Sequence, residues 1–103
     1  MSDKPTIAIS YYDSGEKYSE VYMINEDPHR EDGPAYTAWH KNGDIYKEEY
    51  YYHGMLHRLD GPASIYYSSK YNRLAHSYHI NDRLIECNSD EEFKKIVKLM
   101  MFK

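Results

Sequence analysis

The residues best suited to chemistry lie in a seven-residue motif that occurs twice, from His29 to Ala35 and from His57 to Ala63. Each copy places a histidine, an arginine and an aspartate within four positions, a set of side chains that can move protons and hold a phosphoryl or acyl group. The copies differ at one position only, Glu31 against Leu59. An active site normally occurs once in a domain, whereas a connection between repeated units recurs with the units. We therefore expect a structural connection and no enzyme activity.

Each motif residue has a structural task that fits its type. A glycine that follows an aspartate can adopt positive φ in a turn, and the next proline can begin a strand where its missing N–H is tolerated. The arginine can bind the aspartate carboxylate or loop carbonyls. The residues that we assign to this structural loop motif are His29, Arg30, Asp32, Gly33, Pro34, His57, Arg58, Asp60, Gly61 and Pro62.

The two copies are 28 positions apart, and the same register holds outside the motif, as in Tyr22, Tyr50 and Tyr78. A fixed period of this length is typical of stacked supersecondary units. We expect one repeat domain over residues 1–103, with units at about 7–34, 35–62 and 63–90.

Each unit contains two runs with the period-two alternation of a strand. The first runs are 7–11, 35–39 and 63–67, and the second are 18–24, 46–52 and 74–80. They predict a mainly β fold, a curled antiparallel β-meander of about six strands. Tyr18, Tyr46 and Leu74 are expected on the same apolar face as Tyr22, and Asn42-Gly43 predicts a type I′ turn.

A C-terminal capping helix is predicted at about 90–102. Ser89 and Glu92 fit a capping box, in which the hydroxyl accepts from the amide of Glu92 and the carboxylate reaches back to the amide of Ser89. The helix should present one apolar stripe to an end or face of the sheet. That stripe consists of Phe93, Ile96, Val97, Met100 and Met101.

The doubled motif carries a family resemblance. Two copies of His-Arg-x-Asp-Gly-Pro-Ala, each after an aromatic strand, resemble small repeat proteins of bacteriophages and giant viruses that are similar in style to MORN repeats. The C-terminal part, from Tyr78 through a lysine-rich apolar helix, is also similar to such phage proteins. The resemblance implies a β-meander and a viral context, and it supplies no catalytic residues. Standard MORN repeats are shorter and rich in Gly/Tyr patterns, so their lipid binding is not implied.

Composition narrows the function classes. The formal net charge of -4 argues against direct binding to nucleic acid and against docking on an anionic membrane. Cys87 is the only cysteine, which rules out an internal disulfide and a cysteine metal cluster. The six histidines lack the convergent spacing of a metal site, and we expect no cofactor. No secretory signal pattern begins the chain, so we expect the host cytoplasm.

The leading functional expectation is a non-enzymatic viral protein that binds a host protein or complex, such as a defence complex, and inhibits or redirects it. Tyrosine and tryptophan are frequent anchors of protein interfaces, and the chain has thirteen tyrosines. An oligomer is compatible with this expectation. The alternatives are a sponge for a small molecule or nucleotide and a purely structural repeat module. The expected contact residues are Tyr12, Tyr36, His40, Tyr51, His53 and Tyr66.

Overall fold

The computed structural model describes residues 4–69 and 72–101 and forms an open antiparallel sheet with one C-terminal helix. The strands are β1 (Pro5–Tyr11), β2 (Lys17–Ile24), β3 (Asp27–Pro28), β4 (Tyr36–Trp39), β5 (Ile45–Glu49), β6 (Tyr51–Tyr52), β7 (Met55–Leu56), β8 (Ser64–Ser69), β9 (Asn72–Ile80) and β10 (Arg83–Ile85), and the helix is α1 (Asp90–Met101).

The main sheet has the strand order β1-β2-β4-β5-β8-β9-β10, with β3 paired to β2, while β6 and β7 form a separate small hairpin. The predicted β-meander with a single C-terminal helix is therefore confirmed. The six long strands are the six that the alternation predicts. The predicted strand 46–52 is divided, because β5 ends at Glu49 and Tyr51–Tyr52 form β6. The short strands β3, β7 and β10 were not predicted from the sequence.

The turn at Asn42-Gly43 differs from its prediction. Gly43 has φ +93°, but Asn42 is not among the residues with positive φ. The amide of Gly43 donates to the carbonyl of His40, and the amide of His40 donates to Asp44. These bonds describe a type I turn followed by a left-handed glycine, a common three-residue hairpin loop. The equivalent loop at Gly15 (φ +103°) has the same hydrogen bonds.

Type I′ geometry occurs instead at three hairpin tips spaced by 28 residues. Both central residues of these two-residue loops have positive φ, as a type I′ turn requires. The tips are Asn25-Glu26, His53-Gly54 and Asn81-Asp82. Two of them contain no glycine, so the left-handed conformation there must be held by neighbouring groups.

A β-bulge recurs in each long hairpin, at three residues that were predicted to share one apolar face. The pairing skips one residue near the start of β2, β5 and β9, namely Tyr18, Tyr46 and Leu74. A bulge breaks the simple alternation of faces. Tyr66 pairs with Lys47, so these two residues share the face opposite Glu48. The ring of Tyr46 lies 5.9 Å from that of Tyr66. Tyr46 therefore lies on this face and not on the one predicted for it. Leu74 is 72% exposed.

The helix covers the C-terminal end of one face of the sheet. Phe93 and Val97 are buried against Tyr78, whereas Met100 and Met101 of the predicted stripe are exposed. Ser89 accepts from the amide of Glu92 as predicted, but the Glu92 carboxylate accepts from the amide of Asn88 instead of Ser89. The molecule measures 50 × 42 × 17 Å. The smallest of these dimensions is that of a thin sheet.

Candidate functional site

The six expected contact residues lie in three separate places. Tyr36 and Tyr66 lie against the ammonium of Lys47, and Tyr51 bonds to Glu49, the ion-pair partner of Lys47. Tyr12 and His40 lie at the end of the sheet formed by the long hairpin loops, and His53 lies among the motif loops at the other end. The first place is the only one where three of the six residues meet.

Lys47 is the centre of this cluster, which we call the Lys47 cluster. Its ammonium lies 4.8 Å from the ring centroid of Tyr66 and 5.6 Å from that of Tyr36. The Nζ atom is 3.5 Å from Oε2 of Glu49, and Oε1 of the same carboxylate accepts a hydrogen bond of 3.1 Å from the Tyr51 hydroxyl. Cation–π contacts of this kind are strongest where water is partly excluded. Lys47 and Glu49 are 21% and 16% exposed, respectively.

Burial and charge together set the protonation states in the Lys47 cluster. Burial on its own would lower the pKa of Lys47, because it disfavours the ammonium. A side-chain hydrogen bond with Tyr66 and the charge of Glu49 outweigh this effect, so the pKa of Lys47 is raised. Burial is also the main cause that raises the pKa of Tyr51 to about 12, helped by the Glu49 carboxylate. Burial raises the pKa of Tyr36 as well. The raised pKa values keep Lys47 charged and the phenols of Tyr36 and Tyr51 neutral at physiological pH.

Lys47 and Glu49 were not predicted as site residues from the sequence. Both stand between residues that repeat, and a lysine and a glutamate in a strand are typical of a solvated face. Their partnership with Tyr36 and Tyr66 depends on pairing between β4, β5 and β8. The predicted meander already implies that pairing. Lys47 and Glu49 could therefore have been found as the cross-strand neighbours of the tyrosines.

At the end formed by the hairpin loops, Tyr12 and His40 support local structure. The Tyr12 hydroxyl donates to the carbonyl of Trp39 at 2.8 Å, and its ring lies 5.2 Å from that of Tyr18. His40 is exposed, with its ring 5.2 Å from that of Tyr46. The Tyr12–Trp39 bond links the first long hairpin to the second, whereas each ring contact lies within one hairpin.

The arginines of the repeated motif have the same three contacts in both copies. Each guanidinium carbon lies over a tyrosine ring, Arg30 over Tyr22 at 4.1 Å and Arg58 over Tyr50 at 3.9 Å. Each Nε donates to the motif aspartate at 2.9 Å. Each Nη1 donates to the carbonyl of the motif proline, at 3.3 Å for Arg30 and 3.1 Å for Arg58. The motif loop is thereby folded down onto one face of the sheet.

The motif glycines do not have the predicted positive φ, which occurs at Gly15, Gly43 and Gly54 among the described glycines. Close approach explains them instead. A Cβ at Gly33 or Gly61 would lie 3.1 Å from the guanidinium carbon of Arg30 or Arg58, respectively. Because glycine has a hydrogen in place of Cβ, it leaves room for the arginine to reach the proline carbonyl.

The motif histidines join each unit to the next. Nδ1 of His29 accepts from the amide of His53 at 2.8 Å, and Nδ1 of His57 accepts from the amide of Asn81 at 3.0 Å. Both donors are the first residue of a type I′ tip. His29 is 5% exposed, and its ring lies 4.3 Å from that of His53. The motif histidines therefore hold the left-handed tips of the following unit.

The third unit lacks the motif, and the helix takes its place. The ring of Phe93 lies 4.8 Å from that of Tyr78. Phe93 thus covers Tyr78 as Arg30 and Arg58 cover the equivalent tyrosines of the first two units. The Tyr78 hydroxyl donates to Asp90 at the start of the helix. Cys87, half-buried beside it, has a pKa raised mainly by burial and next by Glu92, so its thiol is not activated.

A groove of about 620 Å³ separates the two motif loops. Its lining includes the guanidinium groups of Arg30 and Arg58, and it also includes three carboxylates, Glu31, Asp32 and Asp60. The acidic groups outnumber the guanidinium groups, so the groove has no excess positive charge to attract a phosphate.

Within residues 4–69 and 72–101, no three histidine, cysteine, aspartate or glutamate side chains are grouped as metal ligands would be. The same part of the chain holds no helix that is both long and apolar enough to span a bilayer. No family model, curated protein or solved structure matches this chain.

Proposed function

We propose that this chain is a non-enzymatic binding protein that docks onto another protein and blocks or redirects it. In the viral setting implied by the motif resemblance, the partner is a host protein or complex, such as a defence complex, and the site of action is the host cytoplasm.

The observation that carries the proposal is the Lys47 cluster. Motif loops and the helix cover the opposite face of the sheet, where Arg58 lies over Tyr50 and Phe93 over Tyr78. The face with Tyr36 and Tyr66 carries aromatic rings that are half-buried and already held in place by a central cation. Rings that are ordered before binding lose little conformational entropy on docking.

The cluster also suits a protein partner chemically. The phenol rings of Tyr36 and Tyr66 lie beside a lysine and a carboxylate. This combination resembles the mixed apolar and polar centre of a protein interface. A partner surface that presents an aromatic or aliphatic anchor flanked by polar groups would match it.

The test is affinity capture from host-cell lysate with matched variants. Tyr36→Ala and Tyr66→Ala each remove one ring, and Leu84→Ser removes an exposed apolar side chain outside the cluster (57% exposed). We expect the wild type and Leu84→Ser to retain the same host protein in stoichiometric amount, and each tyrosine variant to lose it while keeping a wild-type circular dichroism spectrum. Equal capture by all four proteins, or no stoichiometric capture by any, would refute the proposal.

A small-molecule or nucleotide sponge is the second candidate, supported by the groove between the motif loops. The rings of Tyr50 and Tyr52 line it beside two guanidinium groups. Its acidic lining favours a neutral or cationic planar ligand over a nucleotide. A rise in melting temperature with such a ligand, absent with Tyr52→Ala after correction for that variant's own stability, would favour this function.

A further inference from the structure

The two edges of the main sheet are unlike each other. The edge strand β10 has only three residues, includes Arg83 and leads directly towards the helix. The other edge strand, β1, has seven residues, all exposed. Natural proteins normally protect a long edge with charged residues, bulges or proline. β1 carries no charged side chain, although 29% of the whole chain is charged, and its one proline stands at the end.

The backbone of β1 has hydrogen-bonding groups aimed at the open edge. Tyr22 of β2 donates its amide to Ala35 and accepts at its carbonyl from His29, so both of its backbone groups point away from β1. Its partner Ile7 is then part of a non-hydrogen-bonded pair. The N–H and C=O of Ile7 therefore face outward, and alternation along the strand places those of Ile9 outward as well.

The sequence of β1 is nearly palindromic about Ala8. It reads Thr6-Ile7-Ala8-Ile9-Ser10, so the residues on either side of Ala8 match in pairs. In an antiparallel pair of two β1 strands centred on Ala8, Ile7 lies opposite Ile9 of the second copy and Thr6 lies opposite Ser10. Isologous contacts need this kind of self-complementarity.

We propose that β1 pairs with β1 of a second copy of this chain, in antiparallel orientation with Ala8 on the two-fold axis. The outward groups of Ile7 and Ile9 then form the hydrogen-bonded pairs, and two sheets join into one continuous sheet. The isoleucines pack on one face, and threonine meets serine on the other. The proposal is independent of the Lys47 cluster, which lies on strands further inside each sheet.

Surface area and charge are consistent with a second copy. The chain exposes 7181 Å², whereas a folded monomer of 12.3 kDa typically exposes about 6,100 Å². Two chains of net charge -4 repel each other, but the paired strands are uncharged, and Glu20 beside them is neutralised by Lys17 at 2.7 Å. Strand pairing alone buries less than a standard interface of about 1,600 Å², so we expect dissociation in the micromolar range.

Site-specific disulfide formation tests the register directly. In a Cys87→Ser background, Ala8→Cys places two thiols opposite each other in a non-hydrogen-bonded pair, with Cα atoms about 4.5 Å apart, which suits a disulfide. Ser10→Cys is the matched control, because its copies lie about four residues, or ~13 Å, apart. We expect Ala8→Cys to cross-link about tenfold faster or more. A mixture of Thr6→Cys and Ser10→Cys proteins should cross-link faster than either protein does alone.

Charge exchange and sedimentation complete the test. Chains with Ile7→Lys and Ile9→Lys, or with both changed to Glu, should be monomers, because like charges then lie directly opposite. Mixing the two should restore a dimer in which each lysine faces a glutamate. A wild-type chain that sediments as a monomer at its highest soluble concentration overturns the proposal and leaves the edge to a strand of a different protein. Equal cross-linking of Ala8→Cys and Ser10→Cys overturns the register.

Discussion

Replacing Arg58 with alanine removes three contacts whose free energies can be assessed separately. The guanidinium over Tyr50 at 3.9 Å contributes about 0.5–1 kcal/mol. The bond to the carbonyl of Pro62 contributes about 1 kcal/mol. The ion pair with Asp60 contributes little, because the carboxylate is 79% exposed and such pairs have a median near 0–1 kcal/mol. We therefore expect the free energy of unfolding to fall by about 2 kcal/mol.

Urea unfolding followed by circular dichroism measures this loss, and each kcal/mol corresponds to about 4–8 °C in melting temperature for a domain of this size. Arg58→Lys retains the charge but loses the planar fork, so we expect it to lose most of the same free energy. Arg83→Ala, at an exposed position of β10, should stay within about 0.5 kcal/mol of the wild type. A fully stable Arg58→Ala protein, or an Arg58→Lys protein equal to the wild type, would refute the bracing role.

Three further measurements address other parts of the fold. Gly54→Ala should cost about 1–2 kcal/mol, since φ is +83° there, and an unchanged urea midpoint would contradict a left-handed tip. Phe93→Ala, at a fully buried ring, should cost about 3–5 kcal/mol, whereas Leu99→Ala, 75% exposed, should have little effect; equal melting temperatures would argue against helix docking. Burial is the largest cause that raises the pKa of three tyrosines to about 12, above the ordinary value, so their contribution to stability is complete below pH ~10 and is lost as pH rises towards ~12. Tyr67→Phe should weaken that alkaline loss, and urea midpoints that do not change between neutral and alkaline pH would contradict it. The three residues are Tyr51, Tyr67 and Tyr78.

The strands and the helix could be predicted because their signals are local. Alternation over five residues located β1, β4 and β8, and the change of period after Ser89 located the helix. The capping hydroxyl of Ser89 was predictable for the same reason, since its partner is three residues away.

Contacts between units could not be predicted in the same way. The left-handed tip at Asn81-Asp82 has no glycine, and it is held by His57, 24 residues earlier. Gly61 was assigned to positive φ from its place after an aspartate, yet its role depends on where Arg58 lies in space. Bulges moved Tyr46 to the other face by shifting the register of pairing by one residue. These three errors arise where long-range geometry determines a local conformation.

The link from each motif histidine to the following tip has a consequence for how such a chain can lengthen. The bonds from His53 to His29 and from Asn81 to His57 each connect a unit only to its immediate neighbour. A tandem duplication of residues 35–62 would supply its own donor, acceptor, arginine and tyrosine. The terminal helix would still find Tyr78 beneath Phe93. Growth by whole units thus preserves every junction, whereas a gain or loss of a few residues breaks one.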